Sequence, residues 1–145
     1  MPITMNPTLP SSPKELALSN GPGSKLFIAF ISSPDPTTKQ AWCPDVRAAL
    51  PHINEAFTGS DAPTLSLIEV GQKPELYEYT WSVAQEADMS FSRWNNLQNV
   101  YRTTWGTKNI PALVRYQQVN GEVAETGRLV EGEIMNKEGL RAFIA

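Results

Sequence analysis

An α/β fold with a central mixed β-sheet flanked by helices is what this sequence predicts, and three observations carry the prediction. A short, continuously apolar run, Leu26 to Ile31, is followed by an amphipathic helical pattern from Pro44 and then by a β-prone run, Thr64 to Val70. Two strands joined by a crossover helix lie parallel. Further on, Ala112 to Gln118 and Glu122 to Arg128 flank Val119-Asn120-Gly121, and Asn-Gly is the strongest short hairpin signal, so an antiparallel pair joins the same sheet. Asn136 to Ala145, with Leu140, Phe143 and Ile144 on one face, closes the order β-α-β, helices, β-β-α with a helix.

Composition bounds the rest. The chain of 145 residues, 41% apolar and 19% charged, is long enough for one domain with a real core. A net charge of −3 gives no reason to expect nucleic acid or an anionic membrane as partner, since both attract basic surfaces. No apolar run approaches the roughly 20 residues that span a bilayer. The N-terminal stretch has no Lys or Arg before Lys14 and no apolar core, which argues against a secretory signal. One cysteine excludes an intramolecular disulfide and a Cys-based zinc cage, so no metal is expected, and a reducing, cytoplasmic setting follows.

Met1 to Pro13, with prolines at 2, 7, 10 and 13, reads as a flexible leader rather than a strand. Lys14 to Leu18 allows one helical turn, closed by Asn20-Gly21-Pro22-Gly23. Residues 1–24 are therefore set apart from a domain spanning 25–145. The run at Leu26 suits a strand covered on both faces, and Ser32 to Gln40, with Pro34 and Pro36, is a loop. Val46, Ala49, Leu50, Ile53 and Phe57 make the buried face of the helix that starts at Pro44; Pro51 predicts a kink and Gly59 a stop. Between Gly71 and Asn109 the pattern is weakest, with helices allowed over Glu75–Asp88 and Ser90–Tyr101.

Trp42-Cys43-Pro44-Asp45-Val46 holds the only cysteine. A proline suits the first position of a helix, where its missing N–H has no partner to lose, and this puts Cys43 at the N-cap. Unpaired amides and the positive end of the helix dipole there favour a thiolate, although the Asp45 carboxylate opposes a second negative charge nearby. Cys43 is expected to stand exposed and nucleophilic rather than as an inert buried thiol.

These residues carry a resemblance. Trp42-Cys43-Pro44-Asp45 opening a helix after a strand, Pro51 eight residues past the cysteine, Val70-Gly71-Gln72-Lys73-Pro74, and Asn109-Ile110-Pro111-Ala112 ahead of a strand resemble the thioredoxin superfamily. Within it they resemble the small cytosolic thioredoxin-related branch, which reads Trp-Cys-Pro-Asp-Cys at the motif. The resemblance covers about Lys25 to Ala145. It implies a thioredoxin-like fold with a cis-proline loop at Pro111, and thiol–disulfide exchange with protein partners. It also places a helical insertion somewhere in 75–105, ahead of that loop. The aromatic residues of that insertion, Tyr77, Tyr79, Trp81, Trp94, Tyr101 and Trp105, are expected to serve packing rather than to wall a peptide or glutathione groove.

One departure decides the chemistry. The second motif cysteine is Val46, on the same helix side as Cys43, so nothing in the chain can attack a mixed disulfide once formed. The expectation is a monothiol mechanism: Cys43 exchanges with a disulfide- or thiol-bearing protein, and glutathione or another external thiol completes any cycle, with no bound cofactor. A thioredoxin reductase is a further candidate partner, and the protein is expected to be a monomer. The alternative is a redox-inactive protein- or peptide-binding module. Pro111, if cis, offers the Ile110 backbone to a substrate peptide opposite Cys43. Trp42, Pro44 and Asp45 would frame the groove, although a core role for Trp42 stays open. His52, the sole histidine, is expected on the solvated side of the helix, and Glu131, Glu133 and Glu138 at a solvated helix end.

Overall fold

The computed structural model describes residues 3–16, 25–59, 62–71 and 100–145. Five strands form one mixed sheet: β1 (Ile3–Met5), β2 (Lys25–Ile31), β3 (Thr64–Glu69), β4 (Ala112–Val119) and β5 (Glu122–Val130), in the order β1-β3-β2-β4-β5. The helices are α1 (Pro44–Ala56), the short α2 (Val100–Thr103) and α3 (Lys137–Ile144), with 3-10 turns at Pro13–Glu15 and Glu131–Met135. The predicted mixed sheet flanked by helices is the architecture found.

Strand β2 lies at the centre because its sequence is apolar on both faces. Phe27, Ile28, Ala29 and Phe30 are fully buried, as a strand between two layers requires. It runs parallel to β3, with Phe27 opposite Leu65, and antiparallel to β4, with Phe30 opposite Ala112. The hairpin β4–β5 turns at Asn120 (φ 54°) and Gly121 (φ 84°), and two left-handed residues in succession are what a two-residue turn of matching twist demands.

Helix α1 lays Val46, Ala49 and Ile53 into the core and runs on through Pro51 to Ala56. It ends before Gly59 because Phe57, fully buried, already pulls the chain inward. Asn136 caps α3, its side chain accepting from the Gly139 amide at 3.0 Å, and Leu140 is buried beneath.

The leader reading needs correction. Ile3–Met5 pairs parallel with Leu65–Leu67 of β3 and forms an edge strand, and Leu16 is buried in the core. Prolines at 2 and 7 leave four residues free between them, and an edge strand asks for hydrogen bonds on one side only. The helical turn predicted from Lys14 is a 3-10 turn over Pro13–Glu15. The breaker at 20–23 and nearly all of the expected insertion in 75–105 lie outside the described residues; α2 falls within its last part.

Candidate functional site

The site is built where β2 ends. Ile31 accepts from the Val70 amide at 2.9 Å, so β2 and β3 finish together. Two serines then tie three segments into one junction. The Ser33 amide donates to the Gly71 carbonyl at 3.1 Å, and the Ser33 hydroxyl accepts from the Gly71 amide at 3.1 Å. Ser32, 1% exposed, accepts the Cys43 amide on its hydroxyl at 3.2 Å. Sequence reading treated Ser32 to Gln40 only as a connecting loop. The roles of both serines depend on where β3 ends, so no local pattern reveals them.

The loop itself is ordered by Asp35. Its carboxylate accepts the Thr37 amide at 2.7 Å and the Thr38 amide at 3.3 Å, and Pro34 bridges to Ala41. This brings the chain to Trp42 in one direction. Trp42 is half-buried against the core, and its indole N–H donates to the Gly71 carbonyl at 2.8 Å, which ties the approach to Cys43 to the end of β3.

Cys43 is the N-cap of α1 (φ −82°, ψ 122°), with Pro44 at the first helical position and Asp45 in the first turn, both exposed. Its placement on the helix is as predicted; its exposure is not. Cys43 is 9% exposed and belongs to the core cluster that includes Val46, itself fully sealed. The Ser32 hydroxyl holds the Cys43 amide at the end of β2. Arg47, one turn later, donates its amide to the Cys43 carbonyl at 3.1 Å. Its guanidinium Nη1 reaches back to the carbonyls of Ala41 at 2.6 Å and Trp42 at 3.1 Å. Arg47 was not singled out from sequence, where it reads as an ordinary exposed helix residue.

The Ile110–Pro111 bond is cis. The register of Phe30 with Ala112, continued by one residue, sets Pro111 beside Ile31, at the strand end from which Ser32 holds Cys43. The two predicted halves of the site therefore lie at the same end of the neighbouring strands β2 and β4. The Pro111 carbonyl accepts the Glu131 amide at 2.8 Å. The Ile110 side chain is buried, while among the described residues its amide and carbonyl have no hydrogen-bond partner.

Other predicted positions fall elsewhere. His52 is half-buried beside Lys137 and Arg141, between α1 and α3, rather than fully solvated, and stands more than two turns from the helix start. Glu131, Glu133 and Glu138 are exposed; Glu131 accepts from the Asn109 side chain at 3.1 Å and Glu133 from the Val130 amide at 3.0 Å. Among the described residues no cluster of three metal-ligating side chains occurs, and no helix is long and apolar enough to cross a membrane.

Comparison with known proteins agrees with the motif reading. Residues 11–145 match the family described as thioredoxin domain-containing protein 17-like, thioredoxin domain. Thioredoxin domain-containing protein C21C3.12c of Schizosaccharomyces pombe is 31% identical over 119 residues, 82% of each chain. Thioredoxin-like protein Clot of Arabidopsis thaliana is 47% identical over 53 residues, 35% of this chain and 40% of that one. A solved structure of Trichomonas vaginalis thioredoxin superposes with a TM-score of 0.44 at 15% identity, covering 85% of this chain and 81% of that one. A cysteine capping a proline-initiated helix, a cis-proline loop at the same end of the sheet and a matching family profile over most of the length lead to one conclusion: the chain belongs to the thioredoxin domain-containing protein 17-like family of thioredoxin-fold proteins.

Proposed function

We propose that the protein is a monothiol exchange protein of the cytoplasm, acting through Cys43 on a disulfide- or thiol-bearing partner. The observation that supports this reading is that the Cys43 helix start and the Ile110 main chain, without a hydrogen-bond partner among the described residues, lie at the same end of neighbouring strands. Ile110 offers one donor and one acceptor to an extended partner segment, a sequence-tolerant mode of recognition. The Cys43 thiolate attacks one partner sulfur, a Cys43–partner disulfide forms, and the second partner sulfur leaves as thiolate with the electrons of the broken bond. Val46 offers no sulfur to reverse the capture. An external thiol such as glutathione attacks the mixed disulfide and frees Cys43. A second external thiol takes up the resulting disulfide, so two external thiols are oxidised for each partner disulfide reduced. Trp42, Pro44 and Asp45 border the partner, no cofactor or metal takes part, and the protein works as a monomer. A thioredoxin reductase is a further partner proposed for this chain, and neither nucleic acid nor membrane enters the scheme.

The limited exposure of Cys43 favours a second reading, a binding module that keeps the groove and lacks exchange. Alkylation of Cys43 as a function of pH separates the two. A rate already high near neutrality supports exchange. A rate that rises only around an ordinary thiol's value of about 8.5, with no mixed disulfide seen by mass spectrometry after incubation with oxidised glutathione, supports the binding module.

A further inference from the structure

On the flank of Cys43 away from Pro111 lies a cavity of about 460 Å³, a volume suited to one or two side chains of a bound peptide. It draws on β2, β3 and β1, whereas Pro111 leads into β4 on the other side of β2. Ser32 lines it with the same side chain that holds the Cys43 amide, so the cavity begins one residue contact from the sulfur-bearing position. Helix α1 turns a second face to it, Arg47, Leu50, Pro51 and Asn54 at i, i+3, i+4 and i+7, beside the stripe that enters the core. Leu50, Pro51 and Ile31 give the cavity an apolar wall.

Its polar groups are unevenly engaged. Of the Arg47 guanidinium only Nη1 is bonded, to the Ala41 and Trp42 carbonyls, which leaves Nε and Nη2 without partners among the described residues. The Lys39 ammonium likewise has none there. The one carboxylate in the lining, Glu69, is held by Asn6: the Asn6 amide nitrogen donates to Glu69 Oε1 at 2.8 Å, and the Glu69 backbone amide donates to Asn6 Oδ1 at 2.9 Å. Cationic donors and an apolar wall together fit a peptide segment with an acidic side chain.

We propose that this cavity is a subsite for an acidic residue of the disulfide-bearing partner, close in sequence to the cysteine that Cys43 attacks; the inference rests on the exchange reading of Cys43. Lys39 and Arg47 select the carboxylate by charge, and the stem of the side chain lies against Leu50 and Pro51.

The test uses three peptides that differ only in carrying Glu, Gln or Lys beside a cysteine activated as its mixed disulfide with thionitrobenzoate. The Cys43 thiolate attacks the peptide sulfur, the Cys43–peptide bond forms, and thionitrobenzoate leaves with the electron pair and is read by its colour; the Cys43 proton passes to solvent. Each rate is normalised to that of a small neutral activated disulfide. The expected result is the Glu peptide reacting about fivefold faster than the Gln peptide, and the Lys peptide slowest, with the spread shrinking at high salt. The double variant Lys39→Glu, Arg47→Glu reverses the order; should it fail to fold, Lys39→Glu alone, in an exposed loop, removes at least part of the preference. Equal rates for the three peptides, with the neutral disulfide still reactive, overturn the subsite and leave the exchange reading standing. A preference that survives both variants assigns the selectivity elsewhere and also overturns it. No colour with any peptide or with the neutral disulfide overturns the exchange reading and the subsite together.

Discussion

Arg115 and Arg47 show how differently one side chain can be used at the two ends of this molecule. Arg115, in β4, places its guanidinium carbon 4.8 Å from the centre of the Phe143 ring. Its Nε donates to Thr126 Oγ1 at 3.0 Å, Nη1 to the Phe143 carbonyl at 3.0 Å and Nη2 to the Thr126 carbonyl at 2.9 Å. Each nitrogen is engaged within the protein, and the residue fastens the β4–β5 hairpin to α3. Arg47 binds through one nitrogen and turns the remainder to a cavity. A satisfied arginine fixes a fold; a half-satisfied one beside the Cys43 helix start keeps donors for a further contact.

The largest effect is expected at the exchange end. Val46→Cys restores a second sulfur on the side of α1 that carries Cys43, and turnover in insulin disulfide reduction should rise from baseline to a readily measured rate. The substitution stays within the core volume, so its stability cost should remain under about 1.5 kcal/mol. A folded Val46→Cys protein that reduces insulin no better than its parent would show that exchange does not take place at this helix start.

At the hairpin end, Arg115→Ala should destabilise by about 2–4 kcal/mol in urea unfolding, because the Thr126 and Phe143 carbonyls lose their donor and the ring loses its cation. Arg47→Ala should cost about 1 kcal/mol or less, as an exposed residue with one engaged nitrogen. Equal costs would erase the contrast between the two arginines. Gly127→Ala approaches the same cluster from the other side. A Cβ there would sit 2.7 Å from a Phe143 ring carbon and 3.0 Å from Arg115 Nη2, so ring or guanidinium must move, at about 1–3 kcal/mol.

How much of this was legible beforehand follows from the range of the interactions. The central strand, the Pro44 helix and the Asn120-Gly121 turn rest on residues adjacent in sequence, the cis bond at Pro111 is implied by the family resemblance, and all are found. What escaped is long-range. Ile3–Met5 finds its partner at Leu65–Leu67, and no pattern within a proline-rich leader announces that. Ser32 and Ser33 matter because β3 ends at Gly71's doorstep and Cys43 returns to the same point. The burial of Cys43 within the core cluster is long-range as well. An N-cap position states where a residue lies along a helix, and says nothing of what the rest of the chain lays over it. Arg115, likewise, looks like any strand residue until α3 arrives.

The smallest effect expected is also the one that separates packing from titration. Tyr116, paired edge-on with Trp105 at 6.1 Å between ring centres, is buried in β4, and its hydroxyl has no hydrogen-bond partner among the described residues. Burial pushes its phenol well above the ordinary value of 10.0; the nearby Glu125 carboxylate adds to the shift and Arg128 opposes it. The folded protein therefore keeps the Tyr116 proton at a pH where the unfolded chain releases it. The stability linked to that proton is whole below pH 10.0 and declines as pH rises above it, by up to about 1.4 kcal/mol per pH unit until the folded group itself titrates. Tyr116→Phe removes both the unpaired hydroxyl and the titration. At neutral pH it should leave stability unchanged or raise it by about 1 kcal/mol. Between about pH 9 and 11 its urea midpoint should fall less steeply than the parent's, the other lysines and tyrosines being common to both. Parallel declines in the two proteins would mean that Tyr116 does not hold its proton through folding, and that the packing around Trp105 is looser than its geometry implies.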